Sequence, residues 1–582
     1  MSPKIMKTGL VAGMTALLSF SLTFSQTCQD PPATGYARQT LIAAGVAKQP
    51  VEMAVVKDGR VFVAERAGII RVYTPSNSQN AVAATFSVYL YVTTGSQNDV
   101  GGILGLAVSP NFATDNWLYV YYAPLSLWNG GPADHTSGRL TYRLSRFKVL
   151  TDNTLNMSSE QILLSVPSIW ETHNGGSMHF GKNGDLYLSI GDNDCAGCSN
   201  QYSPMDERPG YEFSDDQRST ANTNSLLGKV LRIHPVQDSI NGRLYTIPAG
   251  NLFAEGRDST RPEIYTMGHR NPYRIFPDPI TGRLYIGEFG PAATASTTRG
   301  PVGADQLKIT DSAAFLGYPY FLKDNRAYCH WDYGTGACKA IQGQTSMNFD
   351  PARPVNTSPN NTGLRILPPA KPAVAWDNEA TDNTSPNPVN TDLSGCGMGG
   401  GPVYHYDPLL NSSVKFPPYF ENKWIIYAIF GSWQPKLLTI PSGPVARLSQ
   451  SVAMPWTTTQ VPNFSSGGIQ DMEFGDGDGA LYVLDYGATQ YANNSTAALY
   501  RVTYSGCLPT ALVDASGKKL FPTAPAWRMP GQSVIIPSGS KRVAAFNLSG
   551  TKIWEETVQP QIKSAILLPT SLGSGPLLLR FY

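Results

Sequence analysis

The sequence predicts an all-β chain: a six-bladed β-propeller with long loop insertions, followed by a small C-terminal β-sandwich-like domain. Three observations predict it. The 582 residues hold 55 Gly, 45 Pro and 29 Tyr but only 15% charged residues, a turn-rich balance unlike that of helical bundles or coiled coils. A turn-and-strand phrase recurs along most of the chain. The length also exceeds what one hydrophobic core supports, a limit that stacked repeats escape.

Composition excludes several function classes. Lys and Arg (44) balance Asp and Glu (43), so no overall field steers nucleic acid or an anionic membrane to the chain. A hydrophobic content of 41% excludes a disordered polyelectrolyte.

Residues 1–25 read as a signal peptide. Lys4 and Lys7 form the basic start, 9–24 the apolar run, and Thr23 and Ser25 the small residues near a cleavage point. The expected location is therefore secreted, periplasmic or cell-surface, with no membrane span in the mature chain. Disulfides suit such a compartment. Cys329 and Cys338 flank a short loop and form the expected pair. Cys28 and Cys507 are placed to staple the main domain, and Cys195 and Cys198 suggest a loop disulfide. Seven cysteines leave one unpaired, with Cys396 the candidate.

The propeller is expected over 28–507. Its phrase reads DGRVFVAERAG (58–68), NGDLYLSIGD (183–192), TGRLYIGEFGP (281–291) and DGALYVLDYG (478–487), with NWLYVYYAP (116–124) as a variant. Asn-Gly and Asp-Gly supply the positive φ that tight hairpins need, and the alternating apolar residues give a strand with one face inward. Such units bury their faces only by stacking, which favours a propeller. Six blades are expected, where repeat counting alone allows five to eight. The first strands, near 51–73, and the last, near 498–504, are expected to complete one blade together. The Asn/Pro/Thr/Ser-rich segment 339–397 is expected to cover one face. Residues 508–527 read as a linker, and 528–582 as the small β-domain.

The motifs HNGGSMHFGKNGDLYLSIGD (173–192), GHRNPYRI (268–275) and EFGP (288–291) resemble the glucose/sorbosone dehydrogenase family, which includes soluble quinoprotein sugar dehydrogenases. MDERPG (205–210), RSTANTNSLLGKVLRI (218–233), YTIPAGNLF (245–253) and FDPARPVNTSPNNTGL (349–364) resemble its bacterial multidomain members. The likeness runs from about Val51 to Tyr504. The tail, 541–582, resembles the C-terminal sorting domain of type IX secretion cargo.

The resemblance implies oxidation of an aldose or related sugar at C1 to a lactone, with pyrroloquinoline quinone and Ca²⁺ as cofactors and an external electron acceptor. His173 matches the base that takes the C1 hydroxyl proton, a task suited to a group titrating near ~6.5. Arg270 and Asn271 match the pair that faces the quinone, where a guanidinium stabilises developing negative charge. Gly290 and Pro291 match carbonyl ligands of calcium, and Asp305 an acidic position implied to bind a second Ca²⁺. Asp192, Asp194, Asp206 and Glu207 form a further acidic group open to a metal role or to plain solvation.

The chain departs from the pattern where the family grips the quinone carboxylates with one Lys and two Arg. Gly431, Gly468 and Gln470 stand at those positions, with Lys436, Arg365 and Arg326 as potential replacements. Thr172, Val100 and Gln306 replace further polar or acidic positions. Trp331, Trp376, Trp424, Trp433, Tyr318 and Tyr320 could stack on a sugar or a planar cofactor, or simply pack blades. These departures favour an alternative: a non-catalytic calcium-containing propeller that binds glycans or a surface partner.

Overall fold

Six sheets, each with four antiparallel strands at its heart, follow one another along the chain. The computed structural model describes residues 31–93, 96–129, 140–169, 172–194, 199–388, 396–431, 434–448, 450–488 and 493–506, together with short strands between 526 and 581. Blade 1 comprises Pro50–Val55, Val61–Glu65, Ile69–Thr74 and Gln79–Thr85. Blade 2 comprises Ile103–Val108, Trp117–Tyr122, Leu140–Val149 and Leu155–Ser168. Blade 3 is built from Met178–Phe180, Leu186–Ile190, Lys229–Ile240 and Ile264–Met267, and Ala314–Phe315 adds to its outer edge. Blade 4 uses Asn271–Pro277, Leu284–Phe289, Ala304–Thr310 and Ala375–Asn378. Blade 5 uses Cys396–Tyr404, Lys423–Phe430, Lys436–Thr439 and Ser451–Ala453.

Blade 6 joins the two ends of the propeller. Ile469–Phe474, Leu481–Asp485 and Ala498–Tyr504 receive Tyr36–Ile42 as outer strand, with Tyr36 opposite Tyr504 and Thr40 opposite Tyr500. The closing strand is thus not the 51–73 region expected from sequence. That region carries its own turn phrase and forms the whole inner part of blade 1, which leaves the preceding segment to close the ring.

The repeated phrase marks one position in every blade: the tight turn into the second strand. A residue with left-handed backbone precedes that strand each time: Gly59 (φ 88°), Asn116 (52°), Gly184 (73°), Gly282 (79°), Asn422 (56°) and Gly479 (67°). Blade 5 lacks the Asx-Gly signature, because Asn422 alone supplies the turn. The expectation of one buried face needs correction. Val61 and Val63 pack towards blade 6, while Phe62 and Ala64 pack towards blade 2. Each second strand is a wall shared by two cores, so both of its faces are apolar. A cluster of this kind lies between every neighbouring pair of blades.

The insertions support one another. Asp215 in the 199–227 loop accepts hydrogen bonds from Ser358 Oγ (2.6 Å) and Asn360 Nδ2 (2.9 Å), and Asn356 Nδ2 donates to the Gln217 carbonyl (2.8 Å). Much of the 339–397 segment therefore packs on the loop of blade 3, and its residues 375–378 form a strand of blade 4. Cys329 and Cys338 form the expected disulfide, with Cα atoms 5.8 Å apart. Cys28, Cys195, Cys198, Cys507, Trp433, the Cys396 side chain and the stretches expected to be a signal peptide and a linker lie outside the described residues.

Residues 508–582 fall into a separate unit. There a four-stranded sheet runs Ala526–Arg528, Leu577–Phe581, Arg542–Phe546 and Lys552–Thr557, and Ser533–Ile535 pairs with Ala565–Leu567. No helix among the described residues is long and apolar enough to cross a membrane.

Candidate active site

In an antiparallel hairpin the start of the first strand and the end of the second lie together, opposite the turn. In blades 3 and 4 these ends bring the HNGG, GD, GHRNP and EFGP segments to one face. Backbone bonds stitch them: the Asp192 amide donates to the Arg270 carbonyl (2.7 Å), and the Gly228 amide to the Gly191 carbonyl (2.7 Å). Gly191 is required here, since a Cβ on it would lie 2.1 Å from the His173 carbonyl oxygen.

His173 itself has left-handed backbone, φ 51°, a strained arrangement that concentrates at working sites. Its Nδ1 lies 2.8 Å from Asp192 Oδ1. With Nδ1–H donating to that carboxylate, Nε2 is left as the basic atom. Burial, and then the Arg270 guanidinium, hold the imidazole well below the usual histidine range, so it is neutral and able to accept a proton. Burial pushes the Asp192 carboxyl up to about 7, against the pull of Arg270.

Arg270 is held from behind. Its amide donates to Glu288 Oε1 (2.7 Å), while Glu288 Oε2 meets His269 Nδ1 (3.0 Å) and Lys308 Nζ (2.8 Å). Burial alone would raise Glu288, but Lys308 and His269 hold it down at about 2. The guanidinium of Arg270 makes no hydrogen bond to a described residue. Tyr318, Asp192 and their acidic neighbours keep its pKa raised against the effect of burial. The amide oxygen of Asn271 is buried and accepts no hydrogen bond.

The structure brings His173, Arg270 and Asn271 together with Asp192. Gly290 and Pro291 extend from the neighbouring strand end, where Asp305 Oδ1 accepts the Gly290 amide (2.8 Å). Asp305 Oδ2 accepts the Gly397 amide (2.6 Å), so both of its oxygens serve backbone groups of blades 4 and 5. Burial pushes this carboxyl up to about 7. Asp206 and Glu207 point elsewhere: Asp206 pairs with Arg208, and Glu207 with His330 and Lys339.

Sequence reasoning missed Glu288 as the support of the GHRNP loop, although it opens the EFGP motif. It also missed Asp216, which the 199–227 loop brings against Asp192 and Asp194. Of the aromatic candidates, Trp424 donates to the Gly401 carbonyl inside the blade 4–blade 5 core, and Tyr320 stacks on Phe349. Trp376 is also buried, Trp331 is half-buried, and Tyr318 stands beside Asp216 and Arg270.

The donor set suits a hard cation, since carbonyl and carboxylate oxygens dominate it. It does not suit a quinone bearing several carboxylates. A Cβ on Gly468 would lie 1.9 Å from the Ile429 carbonyl oxygen, so no side chain fits there. Gln470 accepts from the Tyr273 hydroxyl (2.8 Å). Arg365 donates to the Gln342 carbonyl, and Arg326 pairs with Asp324. Besides His173 and Tyr318, Arg270 is surrounded by the carboxyls of Asp192, Asp194, Asp216, Asp305 and Glu379. A polyanion meets repulsion there, without the charge-assisted bonds that would hold it.

The Glucose / Sorbosone dehydrogenase family model matches residues 47–335. The chain is similar to the Hedgehog-interacting protein of Mus musculus, 27% identical over 40% of this chain and 30% of that protein. It is similar to the aldose sugar dehydrogenase YliI of Escherichia coli (strain K12), 24% identical over 38% of this chain and 46% of that protein. The matches thus span less than half the length of these relatives. Among solved structures, a putative oxidoreductase (glucose dehydrogenase) from Thermus thermophilus shares 19% identity at TM-score 0.49, covering 80% of this chain and 100% of that one. The PQQ-bound aldose sugar dehydrogenase of Streptomyces coelicolor shares 18% identity at TM-score 0.45, covering 81% and 99%.

Proposed function

Since the chain belongs to the glucose/sorbosone dehydrogenase family, we propose that it is an exported sugar dehydrogenase. It would oxidise an aldose or related sugar at C1 and pass two electrons to an external acceptor. The observation that carries this reading is the neutral His173 held by Asp192 beside Arg270. His173 Nε2 takes the proton of the C1 hydroxyl while hydride leaves C1 for the acceptor, giving a lactone. Arg270, whose guanidinium makes no hydrogen bond to a described residue, stabilises the charge that develops at the acceptor. Calcium at the Gly290 and Pro291 carbonyls would orient the reacting groups as a Lewis acid. The acidic surroundings favour a neutral or cationic acceptor over pyrroloquinoline quinone.

The test is a dye-linked assay over a panel of aldoses, with calcium, with and without the quinone. Sugar-dependent dye reduction that His173→Ala abolishes supports the reading. A second reading, a glycan- or partner-binding propeller without turnover, draws on the uncharged Gly431, Gly468 and Gln470. Glycan binding retained in His173→Ala, with no turnover on any aldose and either class of acceptor, would establish it instead.

A further inference from the structure

Three carboxylates meet where blade 3 hands the chain to its long loop. Oxygens of Asp192, Asp194 and Asp216 lie within 4.8 Å of one another. The three residues are 0%, 2% and 1% exposed. Among the described residues no N–H group donates to Asp192 Oδ2 or Asp216 Oδ2, and the Tyr318 hydroxyl stands beside Asp216. Buried carboxylates this close to one another need either a shared proton or a cation between them.

The nearby protein cations do not supply it by contact. Lys229 spends its Nζ on the carbonyls of Ser219 (2.8 Å), Thr220 (3.0 Å) and Leu227 (2.6 Å). Arg218 donates through Nε to the Glu212 carbonyl (2.8 Å). The Arg270 guanidinium makes no hydrogen bond to any of the three acids. These cations set a favourable potential around the triad, and none of them donates to Asp192 Oδ2 or Asp216 Oδ2.

A second observation lies outside the acids. Asn271, 9% exposed, has an Oδ1 with no donor, and that oxygen lies 3.0 Å from where a Cβ on Gly191 would stand, over the link to Asp192. That amide oxygen, without a donor and next to the residue that precedes Asp192, adds to an all-oxygen donor set. Among the described residues no thiolate joins the group, and the His173 imidazole already meets Asp192 Oδ1. Hard divalent ions prefer such donors, and calcium tolerates the irregular geometry that loop ligands give.

We propose that Asp192, Asp194 and Asp216, with the amide oxygen of Asn271, form a protein-only binding site for a hard divalent cation of the calcium class. The site is separate from the Gly290 and Pro291 carbonyls. It deepens the reading above, and rests on it only for its role: a cation on Asp192 Oδ2 fixes the carboxylate whose other oxygen orients His173. Asp216 and Asp194 thereby become positioning residues, acting on the base through Asp192.

The experiment uses chelator-treated full-length protein, Ca²⁺ in calorimetry, and Tb³⁺ excited through tyrosine. The wild type should bind Ca²⁺, and Ca²⁺ should displace a tyrosine-sensitised Tb³⁺ emission. Asp216→Asn and Asp194→Asn should each weaken Ca²⁺ binding at least tenfold. Tyr318→Phe, which removes the buried phenol beside Asp216, should keep Ca²⁺ affinity while losing most of the emission. Circular dichroism reports folding, and if Asp216→Asn fails to fold, Asp194→Asn and Tyr318→Phe decide. A wild type that takes up neither ion, or folded Asp-to-Asn variants that bind like wild type, overturns the proposal. None of these readouts uses a sugar or an electron acceptor. A protein that binds the ion but oxidises nothing therefore overturns the dehydrogenase reading and leaves the site standing.

Discussion

The propeller carries two buried acidic clusters, and they solve the same electrostatic problem differently. On the central axis, Glu52, Asp471 and Glu473 come from the first strands of blades 1 and 6, with His179 of blade 3 among them. Arg274 of blade 4 reaches across and closes this group, donating to Glu52 Oε2 (2.7 Å) and to the carbonyls of Val51 and Gln470. The channel cluster carries its own cation on a covalent tether. At the mouth, Asp192, Asp194 and Asp216 have no such tether, and the Arg270 guanidinium stays uncommitted beside them. The first arrangement locks blades together, and in the second Asp192 Oδ2 and Asp216 Oδ2 receive no N–H from a described residue. In this fold one buried acid group is thus satisfied by an arginine from a facing strand, and the other is the group proposed above to take a cation.

Four experiments break or sharpen that contrast. His173→Ala should lower sugar-dependent dye reduction by about 10²–10⁴-fold, the range for losing a general base, with little change in melting temperature. A comparable loss of stability would mean that the mouth is structural after all. Arg274→Met should act in the opposite sense. It leaves Glu52, 0% exposed, without its partner, and urea denaturation should show a loss of about 3–5 kcal/mol. A variant as stable as wild type would show that the channel acids are neutral and need no cation.

The third experiment turns to a half-open pair at the face that carries the hairpin turns. His405 contacts Asp278 (3.0 Å) and Glu421 (3.5 Å), and its pKa is raised to about 9: burial opposes this, and the hydrogen bonds to the two acids outweigh it. Its folded pKa exceeds its unfolded value of ~6.5. The contribution is therefore complete below pH ~6.5 and lost as pH rises to about 9. His405→Gln should cost about 1–3 kcal/mol at pH 6 and almost nothing at pH 10, read from denaturation curves at both. An equal cost at both would assign His405 to packing. The smallest effect is expected from added pyrroloquinoline quinone. The acid-lined mouth should leave its visible spectrum unchanged in calcium-loaded protein, and a shifted spectrum would show that cations outside the pattern reach it.

Much of this was legible in the sequence, and the reason is local. A tight turn needs positive φ, so Asp-Gly, Asn-Gly and Thr-Gly advertise the second strands of blades 1, 3, 4 and 6. Asn116 and Asn422 do the same work without glycine, and the blade 5 copy passed unnoticed for that reason. The nine-residue spacing of Cys329 and Cys338 also sufficed. His173, Arg270 and Asn271 were found because short motifs carry them. Asp216 and Glu288 were not, because their roles depend on loops and strands that meet only in the fold. The closing strand Tyr36–Ile42 carries no turn phrase, and its partner lies at the other end of the propeller.

That seam has a consequence for how the molecule comes into being. A nascent chain that has made five blades still holds an open ring. Blade 1 then lacks the neighbour that covers Met53, Val61 and Val63, and Tyr36–Ile42 has nothing to pair with. Only when Ala498–Tyr504 arrives does the pairing form, across one of the longest sequence separations the chain allows, where contact order slows folding most. The mouth at blades 3 and 4 is built from segments made earlier. The assembly order therefore places the mouth before the lock, and the last strands of the propeller to be synthesised decide whether the ring stays shut.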